Sequence, residues 1–168
     1  MLGPLIAVFT ESVGGSILDI SWAWAIFLIV AGLLQIVVGK ISTSKNRAKI
    51  MLWGYVLNAL FTFTYIFVAS PLHLFAVQFG LGIAAALATP TWEALYAKYE
   101  DKKQDTYEWG LAGGEGQIIT GIAIIIGGLI VSSFSFNVLF VIMGAISTVA
   151  AIYQVKILRS VKKRKRRR

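Results

Sequence analysis

Eight of the polar or charged side chains within the long apolar stretches of this 168-residue sequence are the residues best able to do chemistry. Each costs free energy when it faces hydrocarbon, so each is expected to face another helix, water or a solute. Amides and hydroxyls can hydrogen-bond a polar solute, and carboxylates can hold a proton or a cation. The eight are Gln35, Asn58, Gln78, Thr89, Glu93, Glu115, Gln117 and Thr120.

Enzyme chemistry finds little support in the sequence. His73 is the only histidine, and there is no cysteine to serve as a nucleophile or thiolate ligand. Ser132, Ser133 and Ser135 could be drawn beside His73, but no nucleophile elbow and no third residue accompany them. Phosphate loops and paired carboxylates with a metal spacing are also missing. We therefore expect a protein that is not an enzyme and that uses no metal or cofactor.

Five long apolar stretches must position the polar side chains. They cover residues 22–38, 50–69, 72–97, 109–131 and 136–155. Each is close to or above the ~20 residues that cross a ~30 Å hydrocarbon core. Apolar residues make up 57% of the chain and charged residues 14%, against roughly 45–50% and 25% in soluble domains. The sequence predicts an all-α membrane protein, a polytopic helical bundle in a lipid bilayer.

The basic residues that give the net charge of +8 all lie on one side of the predicted membrane spans. Residues 156–168 contain nine basic and no acidic residues, whereas the rest of the chain contains seven basic and eight acidic ones. Those seven fall in segments 40–49 and 98–105, and the alternate loops have none. The positive-inside rule makes their side the cytoplasm of a cell (inner or plasma) membrane. The tail is then expected to bind anionic lipid, not nucleic acid.

Residues 1–13 are too few for a full span, since thirteen helical residues rise only ~20 Å. We favour a six-helix unit over residues 1–158 whose first helix is truncated, followed by a basic tail at 159–168. The predicted helices are about 1–13 (partial), 22–38, 50–69, 72–97, 109–131 and 136–155. The alternative is a five-span protein in which residues 1–13 lie at the outer membrane surface.

The segment 39–49 carries the most distinctive local pattern. It resembles the loop between helices 2 and 3 of the major facilitator superfamily, where a glycine and an apolar stretch precede an aspartate, a second glycine and basic residues. The matching residues are Gly39, Ile41, Arg47 and Lys49. Thr43 replaces the aspartate, and Asn46 replaces the second glycine; asparagine is the next residue to tolerate a left-handed turn.

Two further positions match that family only in part. Gln78 stands where the fourth helix often has an arginine, and Ala123 and Ile124 replace the glycine–proline that precedes Gly127 and Gly128 in proton antiporters. These departures weigh against proton-coupled drug antiport. With the order of the helices, the chain resembles one six-helix half of a major facilitator superfamily transporter, with five full transmembrane helices and a truncated first helix.

This resemblance implies transport of a small solute by alternating access, with helices 1 and 4 lining a central cavity. The candidate cavity residues are Gln78, Asn58, Gln117 and Thr120. An interhelical hydrogen bond is an equally open role for Gln78. A full cavity needs two six-helix halves, so we expect a homodimer or a pair with another such half. The alternative is a non-transporting membrane scaffold or a truncated, decayed transporter fragment.

A gating latch is expected beside the basic loop. Glu93 lies near the end of its helix and Glu115 near the start of the next, so both are expected close to segment 39–49. We predict an ion pair between Arg47 and Glu93, with Lys49 and Glu115 as the second choice. Resemblance implies that such a latch, together with Gly39, stabilises an outward-open state. Glu115 could instead be a proton or cation site.

Small residues repeat at four-residue spacing in two of the stretches. The fourth has Gly80, Ala84 and Ala88, and the fifth has Gly110 and Gly114. Such spacing lets helix backbones approach closely in lipid. Both helices are therefore expected to pack tightly against neighbours.

Overall fold

A computed structural model describes residues 3–101 and 103–166, and within these ranges the secondary structure is helical, with no strand. The helices are α1 (Leu5–Ser12), α2 (Ile17–Ile41), α3 (Arg47–Thr64), α4 (Pro71–Tyr99), α5 (Asp105–Ser133) and α6 (Phe136–Arg166). A 3-10 turn, Tyr65–Phe67, extends α3. By length and composition, α2 to α6 can each cross a membrane. The prediction of an all-α polytopic membrane protein is confirmed.

The helices are longer than the apolar stretches that predicted them. α2 begins at Ile17 and not at Trp22, and α6 continues through the expected tail as far as Arg166. We call the end of the bundle that carries turns 42–46 and 100–104 the basic side. The opposite side carries turns 13–16, 68–70 and 134–135.

Local sequence signals set the helix starts on the opposite side. Gly14 has φ +80°, a left-handed turn that favours glycine. Ser16 and Asp19 then form a capping box, in which the Ser16 N–H donates to Asp19 Oδ2 at 2.7 Å and the Asp19 N–H donates to Ser16 Oγ at 3.3 Å. α4 begins with Ser70 as its N-cap and Pro71 in its first turn.

α4 is the central helix, and glycines let its neighbours approach it. α2 and α3 pack along α4, and α6 packs on the other side of α3. A Cβ atom added to Gly54 of α3 would lie 2.7 Å from the Ala88 backbone N. One added to Gly82 would lie 2.9 Å from the Phe27 carbonyl O of α2. The backbones therefore meet closely, as the small residues of α4 predicted.

α1 packs inside the bundle near the opposite side. Its Ile6, Phe9 and Thr10 are buried. The Phe9 ring meets the Phe140 ring edge-on at a centroid distance of 4.8 Å, and Phe140 stacks on Tyr65 at 5.0 Å. This apolar cluster joins α1 to α3 and α6, so α1 does not lie on the outer surface of the bundle.

α5 lies at the edge of the bundle, and its small residues differ in role from those of α4. Only 6% of the most apolar 18-residue stretch of α5 is buried inside the protein, against 39% of the corresponding stretch of α4. A Cβ atom added to Gly110, Gly113 or Gly114 would meet no atom within 4 Å. The expected tight packing of this part of α5 is thus not formed within the described chain, because no neighbouring helix lies against that face.

Candidate solute-binding site

An interior cavity of about 230 Å³ lies among α1, α2, α3, α4 and α6. Its apolar wall includes Ile6, Trp24, Phe27, Leu81 and Met143, and its polar side chains are Asn58, Thr62, Gln78 and Ser147. A mostly apolar cavity with a few converging polar groups is the usual form of a small-molecule site. This volume suits a small solute.

Gln78 offers the free hydrogen-bonding groups of this cavity. Its side chain is only 4% exposed, and its amide makes no hydrogen bond with any residue in the described ranges. Some of the neighbouring groups are already engaged: Asn58 Nδ2 donates to Ser147 Oγ at 3.4 Å, and Thr62 Oγ1 donates to the Asn58 backbone carbonyl O at 2.7 Å. Asn58 Oδ1 accepts no hydrogen bond in the described chain. A polar solute could therefore use both the donor and the acceptor of Gln78.

Gln117 and Thr120 lie elsewhere, in an open groove of about 640 Å³ between α4 and α5. Both side chains are exposed, and the Thr120 hydroxyl donates to the Gly116 carbonyl O at 2.7 Å. The structure thus divides the four candidate cavity residues into two pairs. Asn58 and Gln78 share the interior cavity, and Gln117 and Thr120 share the groove.

The expected ion pair between Arg47 and Glu93 is not formed. Arg47 Nη1 instead donates to the carbonyl O of Ala94 at 2.8 Å, and the Glu93 side chain is exposed. The reason is the rotation of α4, which turns the Ala94 carbonyl and not the Glu93 carboxylate towards α3. Arg47 still joins α3 to α4 on the basic side, through a charge-assisted hydrogen bond.

The other latch candidates make no such contact. Lys49 and Glu115 are both exposed, and no ion pair joins them among the described side chains. Gly39 is also exposed, and a Cβ atom added there would meet nothing within 4 Å.

Asn46 closes the basic loop in a way that differs from the expectation. Its φ is −110°, so it is not in the left-handed region. Its side chain holds the turn instead: Oδ1 accepts from the Thr43 N–H at 2.6 Å and from Thr43 Oγ1 at 3.1 Å, and Nδ2 donates to the Ile41 carbonyl O at 3.1 Å. Asparagine here replaces glycine by bonding and not by backbone freedom.

Changing Arg47 should reveal which group it bonds. We expect Arg47→Gln to lower the free energy of unfolding by about 1–3 kcal/mol, because a half-buried bond to Ala94 is lost. Glu93→Gln should have little effect, and Arg47→Glu combined with Glu93→Arg should not recover the loss. Lys45→Gln is the control, since Lys45 is exposed in the same loop. Denaturant titration measures the free energy of unfolding of all four variants. Recovery of that free energy by the charge swap would restore the ion-pair interpretation.

Aromatic and acidic residues form a cluster on the basic side. Trp92 stacks on Tyr96 at a centroid distance of 5.3 Å, and Tyr96 meets Trp109 edge-on at 4.9 Å. Trp109 Nε1 donates to Glu100 Oε2 at 2.6 Å, and Tyr96 OH donates to the Glu108 carbonyl O at 2.7 Å. These residues lie at the end of α4 and the beginning of α5, so close spacing around a short loop was the available signal.

Together, the membrane-length helices and the mostly apolar cavity with its few polar groups define a polytopic membrane protein with a small candidate binding space. The chain belongs to the Major Facilitator Superfamily, whose sequence profile matches residues 1–168. It is 24% identical over 151 residues to an uncharacterized MFS-type transporter of Methanocaldococcus jannaschii, covering 90% of this chain and 39% of that relative. The chain thus spans well under half the length of this relative. No solved structure matches it.

Proposed function

We propose that this chain moves a small polar solute across the membrane by alternating access, as one six-helix half of a transporter. The observation that carries this proposal is the interior cavity in which the Gln78 amide has no hydrogen-bond partner in the described chain. The Gln78 amide atoms are not among the fully buried side-chain atoms that lack a partner, so a solute in the cavity can reach them. Membership of the superfamily supports solute transport as the general activity.

Assembly with a second half follows from the exposed polar residues of α5. Glu115, Gln117 and Thr120 are all exposed although they lie within a membrane-length helix. Polar groups in a span normally face protein or water and not lipid. We infer that this face of α5 lies against a second copy or another six-helix half, with the relating axis along the membrane normal.

The contact between Arg47 and Ala94 is the proposed latch of this half. It joins the basic-side ends of α3 and α4 at 2.8 Å. Alternating access is largely a rocking of one half against the other, so a bond that holds α3 to α4 would keep this half rigid as it moves.

Orientation can be tested by cysteine labelling, since the chain has no cysteine of its own. We propose that the basic side faces the cytoplasm. Single cysteines at Ser44, Gln104 and Ser160 should then resist an impermeant thiol reagent added outside intact cells, whereas cysteines at Ser16 and Ser135 should react. Labelling of Ser44→Cys from outside would reverse the orientation.

The solute can be sought with a binding screen followed by a flux measurement. A solute that binds the folded state stabilises it by about 2.7 kcal/mol when its free concentration is a hundred times Kd. The unfolding temperature therefore rises. Small polar compounds that stabilise the purified protein would next be loaded into proteoliposomes. Flux of such a compound above that of protein-free liposomes supports transport. Binding without flux would indicate a scaffold or receptor.

A further inference from the structure

A second cavity lies at the basic side, away from the proposed solute site. It has a volume of about 260 Å³ and lies among the beginning of α3, the end of α4, the beginning of α5 and an interior turn of α6. Its polar lining includes the carboxylates of Glu100 and Glu108 and the amide of Gln154. The rings of Trp92 and Tyr96 and the side chain of Met51 form part of the wall. Acceptor groups and aromatic faces thus share one small space.

Gln154 gives this cavity an unused acceptor. The side chain is only 9% exposed, and its Oε1 atom is buried without a hydrogen-bond partner in the described chain. The side chain lines the cavity, so Oε1 lies beside it. Unsatisfied buried acceptors are uncommon in folded proteins, and a bound ion or a functional role is among their explanations.

The two carboxylates add negative charge to the cavity wall. Glu100 Oε2 accepts from Trp109 Nε1 at 2.6 Å, and Glu108 Oε2 accepts from the Asp101 backbone N–H at 3.2 Å. Both donors are neutral, and no lysine or arginine pairs with either carboxylate among the described side chains. A ligand carrying positive charge would therefore be favoured by Coulomb attraction in this partly enclosed space.

We propose that this cavity binds a primary ammonium group. Such a group carries three N–H donors, and Glu100, Glu108 and Gln154 supply three acceptors. The rings of Trp92 and Tyr96 attract the same cation through their π faces. The ammonium comes either from an aminophospholipid headgroup or from a free alkylamine, because the cavity lies where the helices end.

Fluorine NMR on the full-length protein tests this site, because Trp92 and Trp109 report on it. Fluorotryptophan would be incorporated at the five tryptophans, and the protein placed in phosphatidylcholine nanodiscs. Titration with ethylammonium should shift the Trp92 and Trp109 signals saturably, while those of Trp22 and Trp24 stay unchanged. Tetramethylammonium has no N–H donor and should bind about tenfold more weakly or worse.

Variants connect the signal to the three acceptors. Glu100→Gln with Glu108→Gln should weaken ethylammonium binding about tenfold or more, and Gln154→Leu about fivefold. Glu11→Gln, on the opposite side, is the matched charge control and should bind as the native chain does. An unchanged Trp22 and Trp24 spectrum shows that each variant is folded. Absence of a saturable shift in the native chain, or equal binding by the double variant, would overturn the proposal.

Bilayer composition separates the two sources of the ammonium group. Nanodiscs that contain phosphatidylethanolamine should weaken the apparent affinity for ethylammonium about fivefold if the headgroup occupies the cavity. An unchanged affinity, with saturable binding retained, assigns the site to a free amine.

Discussion

Gly54→Leu is expected to disrupt the packing of α3 on α4 and to lower the free energy of unfolding more than any other single change in α3. A Cβ atom at this position would lie 2.7 Å from the Ala88 backbone N and 2.9 Å from the Ala84 carbonyl O. Backbone atoms cannot move aside as a flexible side chain can, so α3 would have to shift. Overpacking of this kind costs typically about 1–3 kcal/mol, and leucine adds far more than one methyl group.

Gly110→Leu is the matched control for this prediction. It makes the same chemical change in α5, where an added Cβ atom would meet nothing within 4 Å. Denaturant titration in detergent should show a large loss of unfolding free energy for Gly54→Leu and a small change in it for Gly110→Leu. Equal stability of the two variants would contradict the close contact between α3 and α4.

Gln78→Leu should reduce flux of an identified solute about tenfold or more, because loss of a hydrogen bond to a buried polar ligand typically costs about 1–3 kcal/mol. Leucine is close to glutamine in size, so the cavity keeps its shape. The change removes no hydrogen bond within the described chain, so the variant should fold as the native chain does.

Gln35→Leu provides the comparison, since Gln35 of α2 does not line the interior cavity. Flux in proteoliposomes should fall for Gln78→Leu and remain near the native value for Gln35→Leu. Native flux in Gln78→Leu would contradict the interior site.

The membrane helices could be predicted because the bilayer thickness fixes their length. Packing partners could not, and α4 and α5 show why. Both contain small residues at four-residue spacing, but Gly82 contacts α2 whereas Gly110 and Gly114 contact no side chain. The pattern indicates that a helix is able to pack closely; it does not identify the neighbour.

The candidate site shows the same limit at the level of single residues. The sequence correctly predicted that Arg47 lies beside the end of α4. It could not predict the bonding partner, because successive residues of a helix are rotated by about 100°, and Arg47 bonds to Ala94 and not to Glu93. It also grouped Gln78 with Gln117, although they line different spaces. The acceptor of Gln154 was missed because α6 reaches the cluster only through tertiary packing.

The particle mass in lipid tests the central claim, that this chain works as one half of a transporter. We propose that a second half covers the face of α5 that carries Glu115, Gln117 and Thr120. Native mass spectrometry from nanodiscs should therefore give twice the 18.3 kDa of one chain, or one chain together with another six-helix protein when isolated from its own membrane. A strictly monomeric, stably folded chain in both preparations would contradict the account.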